Sequence, residues 1–179
     1  YSSKLLSRAK EKAQKELYGS SKDGLDRLIQ FGERIKKEGG VFQVFHDSSL
    51  VITGIAYQTE DMVKMHKAYG DYVNQDGTFG TNVYELTLMP TVVVDAMGKS
   101  VISSINLAHS ENNNDLLKMG NALGLYKENA SYMTDGGTAF AVVAEATGMN
   151  HIECLHHFHN DLTKGQLGIS HKERSNLTK

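Results

Sequence analysis

The fold is decided between residues 71 and 108, where the chain reads DYVNQDGTFGTNVYELTLMPTVVVDAMGKSVISSINLA. Three runs rich in β-branched and apolar residues predict strands over residues 71–77, 83–94 and 100–108, with turn-forming clusters between them. We expect consecutive strands to pair as an antiparallel meander.

Downstream of the meander, helix and strand patterns alternate. Residues 111–123 and 137–147 have helical periodicity, and residues 131–135 and 151–155 are typical of strands. Ser110 is expected to cap the first of these helices. The order β-β-β-α-β-α-β predicts an α/β fold with a mixed five-stranded sheet and helices on its faces.

Upstream, the sequence predicts a helical and hairpin extension. Residues 4–18 form an amphipathic pattern, and a second helix from Ser21 ends at Gly39-Gly40. The runs VFQVF and LVITGIAY flank a turn-forming HDSS and predict a hairpin, which Thr59 follows as the cap of a short helix. The buried face of the second helix is expected to consist of Leu25, Leu28, Ile29 and Ile35. We expect a helical segment over residues 1–40, a core over 41–162 and a basic polar tail over 163–179.

Composition narrows the functional classes. The chain has 179 residues, one Cys and no apolar run long enough for a membrane helix, and it begins without a secretory signal pattern. We therefore expect an intracellular protein that has no membrane partner.

Charge is unevenly distributed along the chain. Residues 41–163 carry five basic and fourteen acidic side chains, whereas residues 1–40 carry ten basic and six acidic ones. A nucleic acid would have to be held by the basic ends, by segments beyond this chain or by bound cations, although the acidity could also be only a solvated surface.

Two Asp-Gly pairs follow predicted strands. Asp76 ends the strand over residues 71–77, and Asp135 ends the strand over residues 131–135. If a right-handed crossover places these strands side by side, both carboxylates lie at the carboxyl ends of parallel neighbours. Such a pair suits Mg²⁺ or Mn²⁺, with substrate phosphate oxygens completing the coordination. The alternative is that both pairs are ordinary turns.

Five blocks of sequence carry a family resemblance. They read VNQDGTFGTNVYEL, VVVDAMG, AHSE, YMTDGGTAF and CLHHFHNDL, in that order between residues 73 and 162. Together they resemble the Mutator-like (MULE) transposase domain of the DDE/D superfamily. The resemblance implies an RNase H-like fold, two-metal cleavage and joining of DNA, and Asp76 and Asp135 as the first two catalytic acids. It also implies a nuclear location in a eukaryote and action as a dimer or larger assembly on DNA ends.

The third acid of the family pattern is not evident. In the family it comes from a helix well after the last strand, so we expect it outside these residues, in a longer protein. Glu111 is a candidate supplementary ligand, because in an RNase H-like fold the helix that it opens packs near the first strand. The alternative is that Glu111 only complements the dipole of that helix.

Cys154 and His157 form a C-x-x-H motif similar to one that these transposases carry. If the chain is helical there, we expect both side chains near the acidic pocket, where His157 could contact a DNA phosphate or a displaced base. The alternative is a core cysteine and solvated histidines. Zinc is not expected, because a tetrahedral site usually needs two separated ligand pairs and no second Cys exists.

Three functions are therefore compared. The first is the catalytic core of a Mutator-like DNA transposase. The second is a domesticated relative that binds DNA as a regulator and no longer cuts it. The third is a self-contained RNase H-like nuclease that uses Asp76, Glu111 and Asp135. Cleavage by this chain alone would distinguish the third from the other two.

Overall fold

The computed structural model describes residues 21–82 and 84–164, together with the isolated positions Arg8 and Lys12. Of the predicted helix over residues 4–18 only Arg8 and Lys12 are described, both helical, and the rest lies outside the described residues, as does the tail from residue 165 onward. The elements are α1 (Ser21–Lys37), β1 (Val41–His46), β2 (Ile52–Gln58), α2 (Glu60–Tyr69), β3 (Tyr72–Gln75), β4 (Thr87–Val94), β5 (Ser100–Ala108), α3 (Asn113–Leu123), β6 (Ser131–Thr134), α4 (Thr138–Thr147), β7 (Asn150–Glu153) and α5 (Leu155–Lys164).

The described strands form one seven-stranded mixed sheet in the order β1-β2-β5-β4-β3-β6-β7. The meander β3-β4-β5 is antiparallel as predicted, and β6 joins β3 in parallel, followed by β7. The predicted hairpin is present, but it does not form a separate extension. Its second strand pairs with β5, which extends the expected five-stranded sheet to seven strands because the open edge of β5 accepts a further ladder.

The main core lies between the sheet and helices α3 and α4. Its largest fully buried side chains include Tyr132, Phe140 and Met89. The sheet side of α3 contributes Leu116 and Met119, which are each 1% exposed. Alternation along β2 separates the two faces of the sheet, since Ala56 faces this core and Tyr57 packs on Phe31 of α1. Helix α1 therefore lies on the opposite face of the sheet from α3.

The predicted buried face of α1 is partly wrong. Ile35 is buried, but Leu25 and Ile29 are 47% and 49% exposed. The helix turns a different stripe to the sheet because Gly32, having no side chain, leaves room for the ring of Phe42. Phe31 beside it packs edge-on against Phe42, with a centroid distance of 5.9 Å.

Two predicted boundaries near the site are also wrong. The second strand begins at Thr87 instead of residue 83, because the Asn82 side chain accepts the backbone N–H groups of Tyr84 and Leu86 and holds the chain in a turn. The cap of α3 is Asn112 rather than Ser110, and its side chain accepts the N–H of Asp115 at 3.0 Å. Glu111 therefore precedes the helix and does not belong to its first turn.

Two local predictions, the cap of α2 and the helix after Cys154, are confirmed. Thr59 caps α2 through a 3.2 Å bond from the N–H of Met62. The chain is helical directly after Cys154, as the placement of the C-x-x-H motif required. Among the helices of the described residues, none is long and apolar enough to cross a membrane.

Candidate active site

Asp76 and Asp135 lie side by side at one end of the sheet. Strands β3 and β6 are parallel with Asn74 opposite Met133, and each aspartate comes two residues later in this register. Asp76 follows the last residue of β3, and Asp135 directly follows β6. The predicted juxtaposition at the carboxyl ends of parallel neighbours is therefore present.

A cavity of about 180 Å³ opens between the two aspartates and helix α5. Its lining residues are Asn74, Asp76, Pro90, Val92, Thr134, Asp135, Cys154 and His157. Asn74 alternates with the buried Val73 and Gln75, so the cavity opens on the sheet face opposite α3 and α4. This is the face on which α1 also lies.

Backbone bonds orient Asp135. Its Oδ1 accepts the N–H of Gly137 at 3.1 Å, an Asx-type turn between β6 and α4. Thr134 Oγ1 donates to the carbonyl of Asp135 at 2.7 Å and also lies 2.8 Å from His151 Nε2. The N–H of Cys154 bonds to the Thr134 carbonyl at 2.7 Å. Hydrogen bonds to Gly137, His151 and Cys154 therefore fix the end of β6. Oδ1 of Asp135 takes part in these bonds, whereas its Oδ2 forms no bond with Thr134 or Gly137.

Glu111 reaches the same place from the segment before α3. Burial, and after it the charges of Asp135 and Asp76, raise the pKa of Glu111 from its ordinary value of 4.5 to about 7. Its Oε1 is buried and has no hydrogen-bond partner among the described residues. The carboxylate lies against Gly77, where a β-carbon would stand 2.8 Å from Oε1. Three carboxyl groups therefore repel one another with few compensating bonds.

Cys154 and His157 enter the site at the start of α5. Nε2 of His157 lies 3.9 Å from Oδ2 of Asp76. The Cys154 side chain, and after it the charge of Asp76, raise the pKa of His157, while the backbone N–H of His157 lowers the pKa of the Cys154 thiol. The two side chains lie close together, and Nδ1 of His157 is buried with no hydrogen-bond partner among the residues that the structure describes.

The predicted residues do not form a complete ligand cage. Among the described residues, no three His, Cys, Asp or Glu side chains stand in a metal-ligating arrangement. Glu111 nevertheless lies against Gly77, the residue after Asp76, and His157 Nε2 is 3.9 Å from Asp76 Oδ2. The histidines around Cys154 are not all in the site, since His151 bonds to Thr134 on β6.

Sequence reasoning missed Asn74, which lines the cavity, and the approach of Glu153 to the segment after Asp135. Asn74 lines the cavity and lies two residues before Asp76. Side chains two residues apart on a strand lie on the same face of the sheet, so the position of Asp76 could have predicted that of Asn74. Glu153 lies opposite Thr134 in the β6–β7 register, and its Oε1 approaches the backbone of Gly136. Only the strand order, which the local sequence does not encode, brings Glu153 to this edge.

Comparison with known protein families agrees with this architecture. The profile of the RNaseH-like domain of zinc finger SWIM domain-containing proteins 1 and 3 matches residues 33–159, more than half of the chain. This supports the expected RNase H-like fold, but it does not name a Mutator-like transposase domain. A comparison with curated proteins finds no significant match. From the matched range and the fold, the chain belongs to the RNaseH-like domain family of zinc finger SWIM domain-containing proteins 1 and 3.

Proposed function

We propose that this chain is an RNase H-like phosphoryl-transfer core that binds a divalent cation at Asp76 and Asp135 and acts on DNA phosphodiesters. The observation that carries the proposal is the juxtaposition of these carboxylates at the ends of parallel strands, with a buried oxygen of Glu111 beside them that has no hydrogen-bond partner within the described part of the chain. Such an arrangement costs folding free energy unless a cation relieves the repulsion.

The donor set fits Mg²⁺ or Mn²⁺. Carboxylate oxygens are the hard ligands that these ions prefer, and a site with few protein ligands leaves positions for water and substrate phosphate. Asp76 and Asp135 would hold the ion, with Glu111 as a supplementary ligand. A bound divalent ion would supply Lewis-acid stabilisation of the phosphate and a more acidic water or hydroxyl.

The chain's own groups have roles that complement this chemistry. The bond from Gly137 orients Asp135 before any ligand arrives, which lowers the cost of binding. His157, with its raised pKa, can donate a hydrogen bond from Nε2 to a phosphate oxygen in the cavity. Glu111, with a pKa of about 7, can hold a proton when no cation is present and release it when one binds.

DNA as the substrate, transposase-type strand transfer, a nuclear location and a dimeric or larger assembly belong to the same proposal. They are supported by the five ordered sequence blocks that resemble Mutator-like transposases. A third acid beyond these residues is part of that proposal. In the self-contained nuclease alternative, Glu111 would instead be the third acid.

A specific observation favours a second candidate, a relative that binds DNA without cutting it. In the described residues no three His, Cys, Asp or Glu side chains stand in an arrangement that could hold a metal ion, and the matched family is named for zinc finger SWIM domain-containing proteins rather than for a transposase. In this candidate the acidic cluster is retained without a bound catalytic ion.

The test is calorimetric titration of the chain with Mn²⁺, together with nicking of a labelled DNA duplex. We expect Asp76→Asn and Asp135→Asn each to abolish Mn²⁺ binding. The matched control Asp61→Asn removes the same charge from the exposed start of α2 and should bind like the unmodified chain. Absence of Mn²⁺ binding at millimolar concentration in the unmodified chain would refute the metal site and favour the second candidate. Nicking that Glu111→Gln abolishes would favour the self-contained nuclease.

A further inference from the structure

Two large aromatic side chains are exposed directly after Asp76. Phe79 and Tyr84, in the loop between β3 and β4, are 69% and 62% exposed. Burial of such side chains is strongly favourable, and exposed aromatic surface that is grouped in one place is typical of an interaction site.

The loop that carries these aromatics is held in place. The Asn82 side chain accepts the N–H groups of Tyr84 and Leu86 at 3.1 Å and donates to the Leu86 carbonyl at 2.6 Å. Thr78 and Leu88 exchange two backbone bonds of 2.8 and 2.9 Å. The side chains are therefore presented by an ordered turn, which reduces the entropy cost of binding through them.

Tyr84 connects this loop to helix α1. Its hydroxyl lies against Gly24, 3.1 Å from the position of a β-carbon. Residues 24, 27, 31 and 34 recur at helical spacing and form one stripe along α1. The stripe thus begins at the aromatic loop and continues along the helix.

The stripe is cationic. A cavity of about 340 Å³ is lined by Arg27, Gln30, Phe31 and Arg34. Arg34 lies over the ring of Phe31, 5.5 Å from its centroid. Within the described part of the chain, neither Arg27 nor Arg34 pairs with an acidic side chain. As far as the described residues show, no carboxylate occupies either guanidinium group, and each can therefore contact an anion.

The stripe and the candidate active site share one face and one end of the sheet. Tyr57 faces α1 and Asn74 faces the cavity, both opposite the core. The loop leaves the same end of β3 that carries Asp76. A ligand that followed the stripe toward Tyr84 and Phe79 would arrive at the carboxylates.

We propose that Phe79, Tyr84, Arg27 and Arg34 form a binding track for single-stranded nucleic acid. The arginines would contact phosphates, and the aromatic rings would stack on unpaired bases, which a duplex does not expose. The track also explains how an acidic body could hold a polyanion, since it uses the basic N-terminal part of the chain. The direction of the strand toward the carboxylates rests on the proposed function, whereas binding itself needs no metal.

The test is fluorescence anisotropy of a labelled oligothymidine with the full chain in EDTA. We expect Phe79→Ala and Tyr84→Ala each to weaken binding by at least about fivefold, with the salt dependence unchanged. The double variant Arg27→Gln, Arg34→Gln should reduce the slope of log affinity against log salt by about 1.4, which corresponds to two single-strand phosphate contacts.

Matched control variants distinguish binding at the track from nonspecific electrostatic or hydrophobic binding. Lys64→Gln with Lys67→Gln removes two charges from α2, and Met97→Ala removes a side chain that is 78% exposed at the opposite end of the sheet. Both controls should bind normally, and Tyr84→Phe should retain affinity because its ring still stacks. Circular dichroism and thermal melting verify that each variant is folded.

Three outcomes would overturn the inference. These are an unchanged affinity in the folded aromatic and arginine variants, tighter binding of a duplex than of the single strand, and equal competition by an acidic peptide. The last would identify the stripe as a protein-binding surface. If the track binds in EDTA but the chain neither binds Mn²⁺ nor nicks DNA, the inference stands and the proposed function fails. If the chain nicks DNA and the aromatic and arginine variants bind the single strand normally, the proposed function stands and the inference fails.

Discussion

Substitution of Glu111 by Gln should stabilise the folded chain at alkaline pH. Glu111 is partly buried near Asp76 and Asp135, and its Oε1 has no hydrogen-bond partner among the described residues. Glutamine has nearly the same shape and removes the charge. In EDTA at pH 8, Glu111→Gln should therefore have a higher free energy of unfolding than the unmodified chain.

The sign and size follow from the pKa of Glu111. The folded chain binds this proton more tightly than the unfolded chain, because the pKa rises from 4.5 to about 7. The associated stability is fully present below pH 4.5, decreases as the pH rises to 7 and is absent above it. About 1.4 kcal/mol per pH unit over this interval gives an upper limit of about 3.4 kcal/mol. Since Glu111 is only partly buried, solvent screening reduces the expected effect to about 1 to 2 kcal/mol.

Urea unfolding followed by circular dichroism at pH 4, 6 and 8 measures this effect. The stability advantage of Glu111→Gln should be small at pH 4 and reach about 1 to 2 kcal/mol at pH 8. Glu145→Gln makes the same chemical change on the exposed side of α4 and should show no such trend. Parallel stability curves for Glu111→Gln and the unmodified chain would refute the raised pKa of Glu111, which burial and then the charges of Asp135 and Asp76 cause.

Three further substitutions test packing and the loop, each by urea unfolding. Tyr132→Phe should cost about 1 to 3 kcal/mol, because the Tyr132 hydroxyl donates at 2.5 Å to Oε1 of the fully buried Gln75, and equal stability would contradict that bond. Gly32→Ala should destabilise by about 1 to 3 kcal/mol although Ala favours helix interiors, since its β-carbon would overlap the Phe42 ring; a gain in stability would refute the close packing of α1. Asn82→Ala should cost about 1 to 2 kcal/mol through three lost hydrogen bonds, and no loss would show that the loop does not depend on them.

Much of the fold could be predicted because the relevant signals are local. The alternation in residues 100–108 matches β5 at both ends, and Thr59 caps α2 as a residue of its type does at many helix starts. The predicted boundaries of elements were wrong where a side chain formed hydrogen bonds with backbone N–H groups in place of regular secondary structure. Asn82 and Asn112 are the examples, since each moved the start of an element by bonding to N–H groups two to four residues onward.

The candidate site was only partly predictable. Asp76 and Asp135 could be proposed because each follows a predicted strand and because the sequence blocks around them resemble a known family, but that their strands are neighbours was only permitted by a right-handed crossover and is observed in the β3–β6 pairing. Glu111 was predicted as a ligand because it was expected to open α3, and that reason is wrong, since it precedes the helix. Its position instead depends on how the segment between β5 and α3 folds back over Gly77.

The sequence by itself determined which segments become strands and helices, and that Asp76 and Asp135 each follow a strand, because these features depend on periodicity, capping and chain connectivity. Only the tertiary structure decided that the hairpin joins the sheet through β2 and β5, that Gly32 turns α1 away from its expected face, and that Tyr84 touches Gly24. These contacts join residues far apart in the chain, and their free energy depends on shape and desolvation in the assembled fold, which no local pattern records.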